Sequence, residues 1–181
     1  MLPQLELIAI EFLEALDRLH RLRESVPERA WGRRPDPSRW SVAECVAHLN
    51  LTSQAYLPLL TRAVEEAREV HLPPPHRYRR DLAGWLLWRT MGPPVRIRTR
   101  TLPAFIPEST RAPDEIVAEF ERLQDAQMAA LRAANGRPIQ RVRVASPFNP
   151  RLRYNLYACF GILARHQHRH LWQAEQVGGK R

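Results

Sequence analysis

The chain has 181 residues, 44% of them hydrophobic and 26% charged, a composition that excludes a disordered, collagen-like or membrane-embedded protein. One domain of that length removes roughly 70% of its unfolded surface from water, so no disulfide staple is required. The 28 basic residues outnumber the 19 acidic ones for a formal charge of +9, and every basic residue except Lys180 is an arginine. A nucleic-acid surface usually mixes both cations, because lysine also serves against phosphate; arginine alone is equally the mark of GC-rich coding.

The first expected helix covers about residues 3–25, with Leu5, Ile8, Phe12, Leu16 and Leu19 at three- and four-residue steps. Pro27 closes it, and a connection holding Pro35 and Pro37 leads to Trp40, Ser41, Val42, Ala43 and Glu44. Serine followed three residues later by glutamate is a capping box, with Trp40 placed to staple onto Cys45. The second helix then runs over about 42–70, with Pro58 as a site for a bend. A Pro- and Arg-rich crossover follows over 71–112, with one amphipathic piece around Asp81 to Thr90. Most of the charge surplus is here, where Arg77, Arg79, Arg80, Arg89, Arg96, Arg98 and Arg100 face only Asp81 between His76 and Arg100. Those arginines suit a solvated loop, a lid for an anionic substrate, or, with Tyr78, Trp85 and Trp88 interleaved, a nucleic-acid surface.

Pro113, Asp114 and Glu115 open a third helix over about 113–135, ended by Asn135 and Gly136. After an extended piece around Arg141 to Val144, the last helix covers about 153–176. Four long helices with two substantial connections describe an all-α four-helix bundle occupying the whole chain, 1–181, in which long crossovers leave room for parallel neighbours. Cys45 and Cys159 are too far apart in sequence to suggest a pairing and fit thiols in a reducing compartment. The N-terminal stretch carries Glu6, Glu11 and Glu14, unlike a secretory leader, and no apolar run reaches the length of a membrane span. A cytoplasmic location is the expectation.

Chemistry enters with the histidines. His166 and His170 lie one turn apart on the last helix, roughly 40° from each other, while His168 is turned away by about 160°. Such a pair can bind one metal ion, or can be half-buried histidines on an arginine-rich helix. His48, beside Cys45 and Leu49, is the candidate third ligand; its alternative is a core histidine bonded to a backbone carbonyl. Three imidazoles would leave coordination positions open, as catalytic metal sites require. The HExxH signature of metalloproteases is absent, since Gln167 follows His166.

Four further residues lie near this face. Gln173 is one turn beyond His170 and can hold a ligand or simply be solvated; Thr52 and Tyr56 can line a pocket, with Tyr56 also suited to the core. Glu44 faces the same way as His48, but the capping box accounts for it.

The stretch WSVAECVAHL (40–49), followed by HQHRHLWQAEQV (166–177), resembles the DinB/YfiT-like metalloenzyme superfamily, and the likeness covers most of the chain. It implies an up-up-down-down bundle and a metal site made by His48, His166 and His170, with zinc or nickel as the divalent ion. It also implies metal-dependent transfer or isomerisation with a low-molecular-weight thiol such as mycothiol, bacillithiol or glutathione, a small-molecule substrate, and a possible homodimer. The alternative function is a non-catalytic, metal-containing, stress-related bundle that binds nucleic acid or another partner through the basic crossover. DNA binding does not follow from the resemblance.

Overall fold

The computed structural model of the chain describes residues 1–73, 75–94, 101–107 and 111–179. Among the described residues the protein is mostly helical, with α1 (Pro3–Ser25), α2 (Glu28–Trp31), α3 (Val42–Glu69), α4 (Leu82–Met91), α5 (Pro113–Ala133) and α6 (Leu156–Gly178). One 3-10 turn at Pro103–Phe105 and an antiparallel hairpin of β1 (Arg143–Ser146) and β2 (Asn149–Asn155) complete it. None of these helices is long and apolar enough to cross a membrane.

Local chemistry sets the helix starts. Ser41 Oγ accepts from the Glu44 amide at 3.2 Å, and the Glu44 carboxylate accepts from the Ser41 amide at 2.8 Å, so the capping box is complete. Arg34 forks onto the same carboxylate, its Nε at 3.0 and 2.9 Å from the two oxygens. Burial pushes the Glu44 carboxyl up, but the bonds from Arg34 and Ser41 outweigh that and hold it below its ordinary value. The stability this group contributes is therefore present above its ordinary pKa of 4.5 and lost as pH falls through the lower folded value. Arg34→Gln is expected to raise the pH midpoint of acid unfolding followed by circular dichroism. Ser41→Ala is expected to cost about 1 kcal/mol at neutral pH.

The last helix begins at Leu156, later than its periodicity suggests, because residues 149–155 pair with β1 instead. Exposed Arg151 and Arg153 alternate there with Leu152 and buried Tyr154, which is the period of a strand. Asn155 then caps α6 by accepting from the Ala158 amide at 2.9 Å. Its own amide bonds Asp81 and its side chain bonds the Arg79 carbonyl, so the hairpin and the crossover meet at this cap. Pro58 does not interrupt α3.

α1 packs against α5 and α6, and α3 packs against the same two helices. Paired residues give their directions. α1 runs antiparallel to α5, since Phe12 meets Gln124 and Arg23 meets Asp114. It runs parallel to α6, since Glu11 meets His168, Arg18 meets Glu175 and Val26 lies near Gly178. α3 runs parallel to α5, with Asn50 on Ile116 and Gln54 on Glu119, and antiparallel to α6, with His48 beside His170 and Tyr56 beside Tyr154.

The expected up-up-down-down order is thus corrected to up-down-down-up. Only the long crossover returns the chain along the length of α3, about 42 Å for its 28 residues, so the parallel sequential pair is α3 and α5. The shorter connections on either side reverse direction.

The apolar core forms two clusters. On α6 one ends at Ala164 and the other resumes at Leu171; on α3 the break falls between Leu49 and Tyr56. The gap between the clusters holds buried polar groups, among them His48, Thr52, Gln124, Gln127, His166, Gln167 and His170. That polar layer is where the site lies.

Candidate metal centre

His48 sits in the second turn of α3, and its Nδ1 lies 2.8 Å from the carbonyl of Phe105 in the 3-10 turn of the crossover. A carbonyl only accepts, so Nδ1 carries the proton and Nε2 keeps its lone pair. The reading of His48 as a histidine bonded to a backbone carbonyl holds for Nδ1, which leaves Nε2 available to a ligand, the arrangement that orients metal-ligating histidines. His166 and His170 come from successive turns of α6. Their ring centroids are 4.5 Å apart and lie 5.3 and 4.5 Å from that of His48, and one ring nitrogen from each of the three falls within 4.8 Å of the others.

All three rings are buried. Burial holds His48 below its ordinary value, against the bond to Phe105, which raises it. Burial, then the other histidines and Arg169, push His166 and His170 well below theirs. The imidazoles are therefore neutral near pH 7, the state in which they ligate. His170 Nδ1 is buried without a hydrogen-bond partner among the described residues, a costly arrangement for a polar atom. A cluster of neutral imidazole nitrogens, one of them without a hydrogen-bond partner among the described residues, fits a divalent cation.

The triad opens into a cavity of about 1090 Å³. Thr52, Tyr56 and Gln173 line it. The Thr52 hydroxyl donates to the His48 carbonyl at 2.9 Å, and the Tyr56 hydroxyl pairs with that of Tyr154 and lies 3.5 Å from Ser146. Glu44 is held instead in the capping box and by Arg34. Cys45 reaches the cavity, but burial pushes its thiol up to about 12, so it is inert as a nucleophile at neutral pH. Cys159 is buried in the core, with its thiol likewise raised.

Other residues of the cavity escaped the sequence reading. Trp40, expected to staple the helix entry, lies 4.9 Å from His48 and 6.0 Å from His170 between ring centroids. Phe148, in the hairpin turn, packs on Phe105 at 4.1 Å and lies 6.4 Å from His48. Arg39 and Arg169 also line the space. Only Arg169 had a readable signal, since it stands between His166 and His170 on the same helix; nothing in the order of residues links Phe105 or Phe148 to them.

The neighbours of the triad are turned elsewhere. Gln167 bonds Gln124 at 2.7 Å inside the helical core. His168 accepts from Arg18 through Nδ1 and donates to the Glu11 carbonyl through Nε2, both at 2.9 Å. Of the crossover arginines, Arg80 is not a lid cation: its guanidinium lies 4.1 Å from the Trp88 ring centre and 4.9 Å from that of Tyr157, and Arg165 covers Trp88 at 3.7 Å. Arg77, Arg79 and Arg89 are exposed. Arg96, Arg98 and Arg100, on which a nucleic-acid surface would depend, lie outside the described residues.

The fold and the site together define a helical protein that presents three neutral histidines to an open cavity. Residues 11–174 match the family model of the DinB superfamily, and the chain belongs to that family. No curated protein and no solved structure matches it.

Proposed function

We propose that the chain is a cytoplasmic metal-dependent enzyme of the thiol transferase or isomerase type, with His48, His166 and His170 holding zinc or nickel. In this reading α1, α3, α5 and α6 are the four-helix bundle of a single domain. The observation that carries it is the convergence of three neutral, buried imidazoles on a cavity large enough for a small-molecule substrate. A divalent ion held by them would lower the pKa of a thiol and supply thiolate at neutral pH.

The chain's own groups suit that chemistry better than hydrolysis. No carboxylate among the described residues lines the cavity, and Gln167 stands where a metalloprotease has its glutamate, so the described residues offer no carboxylate there to activate water. Burial raises the hydroxyls of Tyr56 and Tyr154, which therefore stay protonated. One of them donates to the other, which leaves a single tyrosine hydroxyl proton of the pair to donate to oxygen on a bound electrophile. The hydrophobic wall made by Trp40, Phe148 and Leu152 limits water around the reacting groups.

The test uses protein purified without a histidine tag. Elemental analysis is expected to find about one zinc or nickel ion per chain. Metal-loaded protein is expected to consume mycothiol, bacillithiol or glutathione in the presence of a suitable electrophile, and chelator-stripped protein to consume none above background. Equal thiol loss with and without metal, or no loss across a broad panel of electrophiles, would overturn the reading.

A further inference from the structure

The cavity runs along α6 and carries its charge at one end. Ile162 and Leu163 line the uncharged end, together with Leu87 and Met91 of α4 and Leu152 of the hairpin, with Ser146, Asn149 and Tyr154 among them. Arg169, Gln173 and Gln176 line the other beside Trp172 and Val177, with Ser38 and Arg39 just before α3. His166 and His170 lie between the two ends. Among the described residues, the only side chains lining this space that carry a formal charge are Arg39 and Arg169. Arg169 is 9% exposed, and a cation so placed acts on a ligand through a medium less screening than water.

We propose that this cavity selects an amphiphilic anion, a molecule with an apolar body under α4 and an anionic group at Arg169 and Arg39, its reactive part lying between them beside the triad. This rests on the reading of the cavity as a substrate site, and it moves anion recognition from the crossover arginines to Arg39, just before α3, and Arg169, within α6. A planar guanidinium binds a carboxylate or sulfonate through paired hydrogen bonds, which gives orientation as well as affinity. The apolar end contributes by burial, at about 25 cal/mol for each Å² removed from water. With the two ends distinct, a bound molecule has one orientation.

Calorimetry on the full chain tests this with octane-1-sulfonate, a weak metal ligand, against octyl methyl sulfone, a neutral relative of similar size. The sulfonate is expected to bind at least about tenfold more tightly, both in metal-loaded and in metal-stripped protein. Arg169→Gln is expected to remove most of that difference while leaving sulfone binding and metal content unchanged, and Arg169→Lys to restore part of it. Arg39→Gln is expected to give a smaller loss, and remains informative if the Arg169 variants do not fold. Equal affinity for the two probes, no binding of the sulfonate, or a preference that survives the double Arg39→Gln, Arg169→Gln variant would overturn the proposal. A preference that vanishes on metal removal would place the anion on the ion and overturn it too. Absence of metal or of thiol consumption, with the sulfonate preference intact, would instead remove the proposed reaction and leave the anion site standing.

Discussion

Alanine at His170 is expected to reduce the bound divalent metal from about one ion per chain to less than about a tenth, measured on dialysed protein by elemental analysis. Losing only a hydrogen-bond partner of a ligand typically costs about 10–100-fold in metal affinity, and here a ligand itself is lost from a set of three. His48→Ala and His166→Ala are expected to behave alike. The control is His168→Ala: it lies on the same helix but faces Arg18 and the Glu11 carbonyl, and it should retain the metal. Because an ion held by the triad would bind the folded chain, zinc at a hundredfold excess over its Kd is expected to stabilise the unmodified protein by about 2.7 kcal/mol. That rise in Tm should be absent from the three triad variants. Full metal retention by His170→Ala would show that the three rings do not form the site.

Valine at Gly84 is expected to destabilise the protein by about 1–3 kcal/mol or more, the range for overfilling a packed contact. A Cβ on Gly84 would fall 2.3 Å from that of Ala158 and 2.7 Å from Oδ1 of Asp81, the residue that caps α4 through the Gly84 amide. Neither neighbour yields easily, because Ala158 lies in the first turn of α6 and Asp81 is tied to the Asn155 amide. The side chain is accommodated only if α4 lifts from α6. Leu87 and Met91 would move with it, so the variant should also lose affinity for an apolar probe while keeping its metal, since the three histidines lie on other elements. Thermal unfolding checks the first effect, and titration with octyl methyl sulfone the second. An unchanged Tm would mean that α4 is not seated as described.

Both effects bear on how much could be read before folding. The starts of α1, α3 and α5 follow from Pro3, from Ser41 with Glu44, and from Pro113 with its acidic neighbours, because capping and periodicity are local properties. The one-sided pair His166 and His170 follows from helix geometry. The last helix was expected from about residue 153 and starts at Leu156, because residues 153–155 are as acceptable to a helical pattern as to a strand, and the partner strand decides between them. The direction of α3 relative to α1 was misplaced for a related reason. The length of a connection permits a return along a helix but does not say which helices the return leaves side by side.

The candidate site divides in the same way. Which side chains could hold an ion was legible as residue types on helix faces, with the family likeness choosing among the open readings. The rest is assembled by contacts between distant parts of the chain. The Phe105 carbonyl that sets the His48 tautomer lies 57 residues away in the crossover, and the Tyr154 hydroxyl that meets Tyr56 lies 98 residues away across the hairpin.

By itself, then, the sequence determined the four long helices to within a few residues, the starts of α3 and α5, the histidine pair and a charge of +9 concentrated in one crossover. Only the tertiary structure decided that Arg80 is spent on Trp88 and Tyr157, and that Arg39 and Arg169, outside that cluster, are the cations of the cavity. The physical reason is that capping and periodicity act over a few residues of chain. Burial and charge act through space, so a formal charge gains meaning only when its neighbours are known.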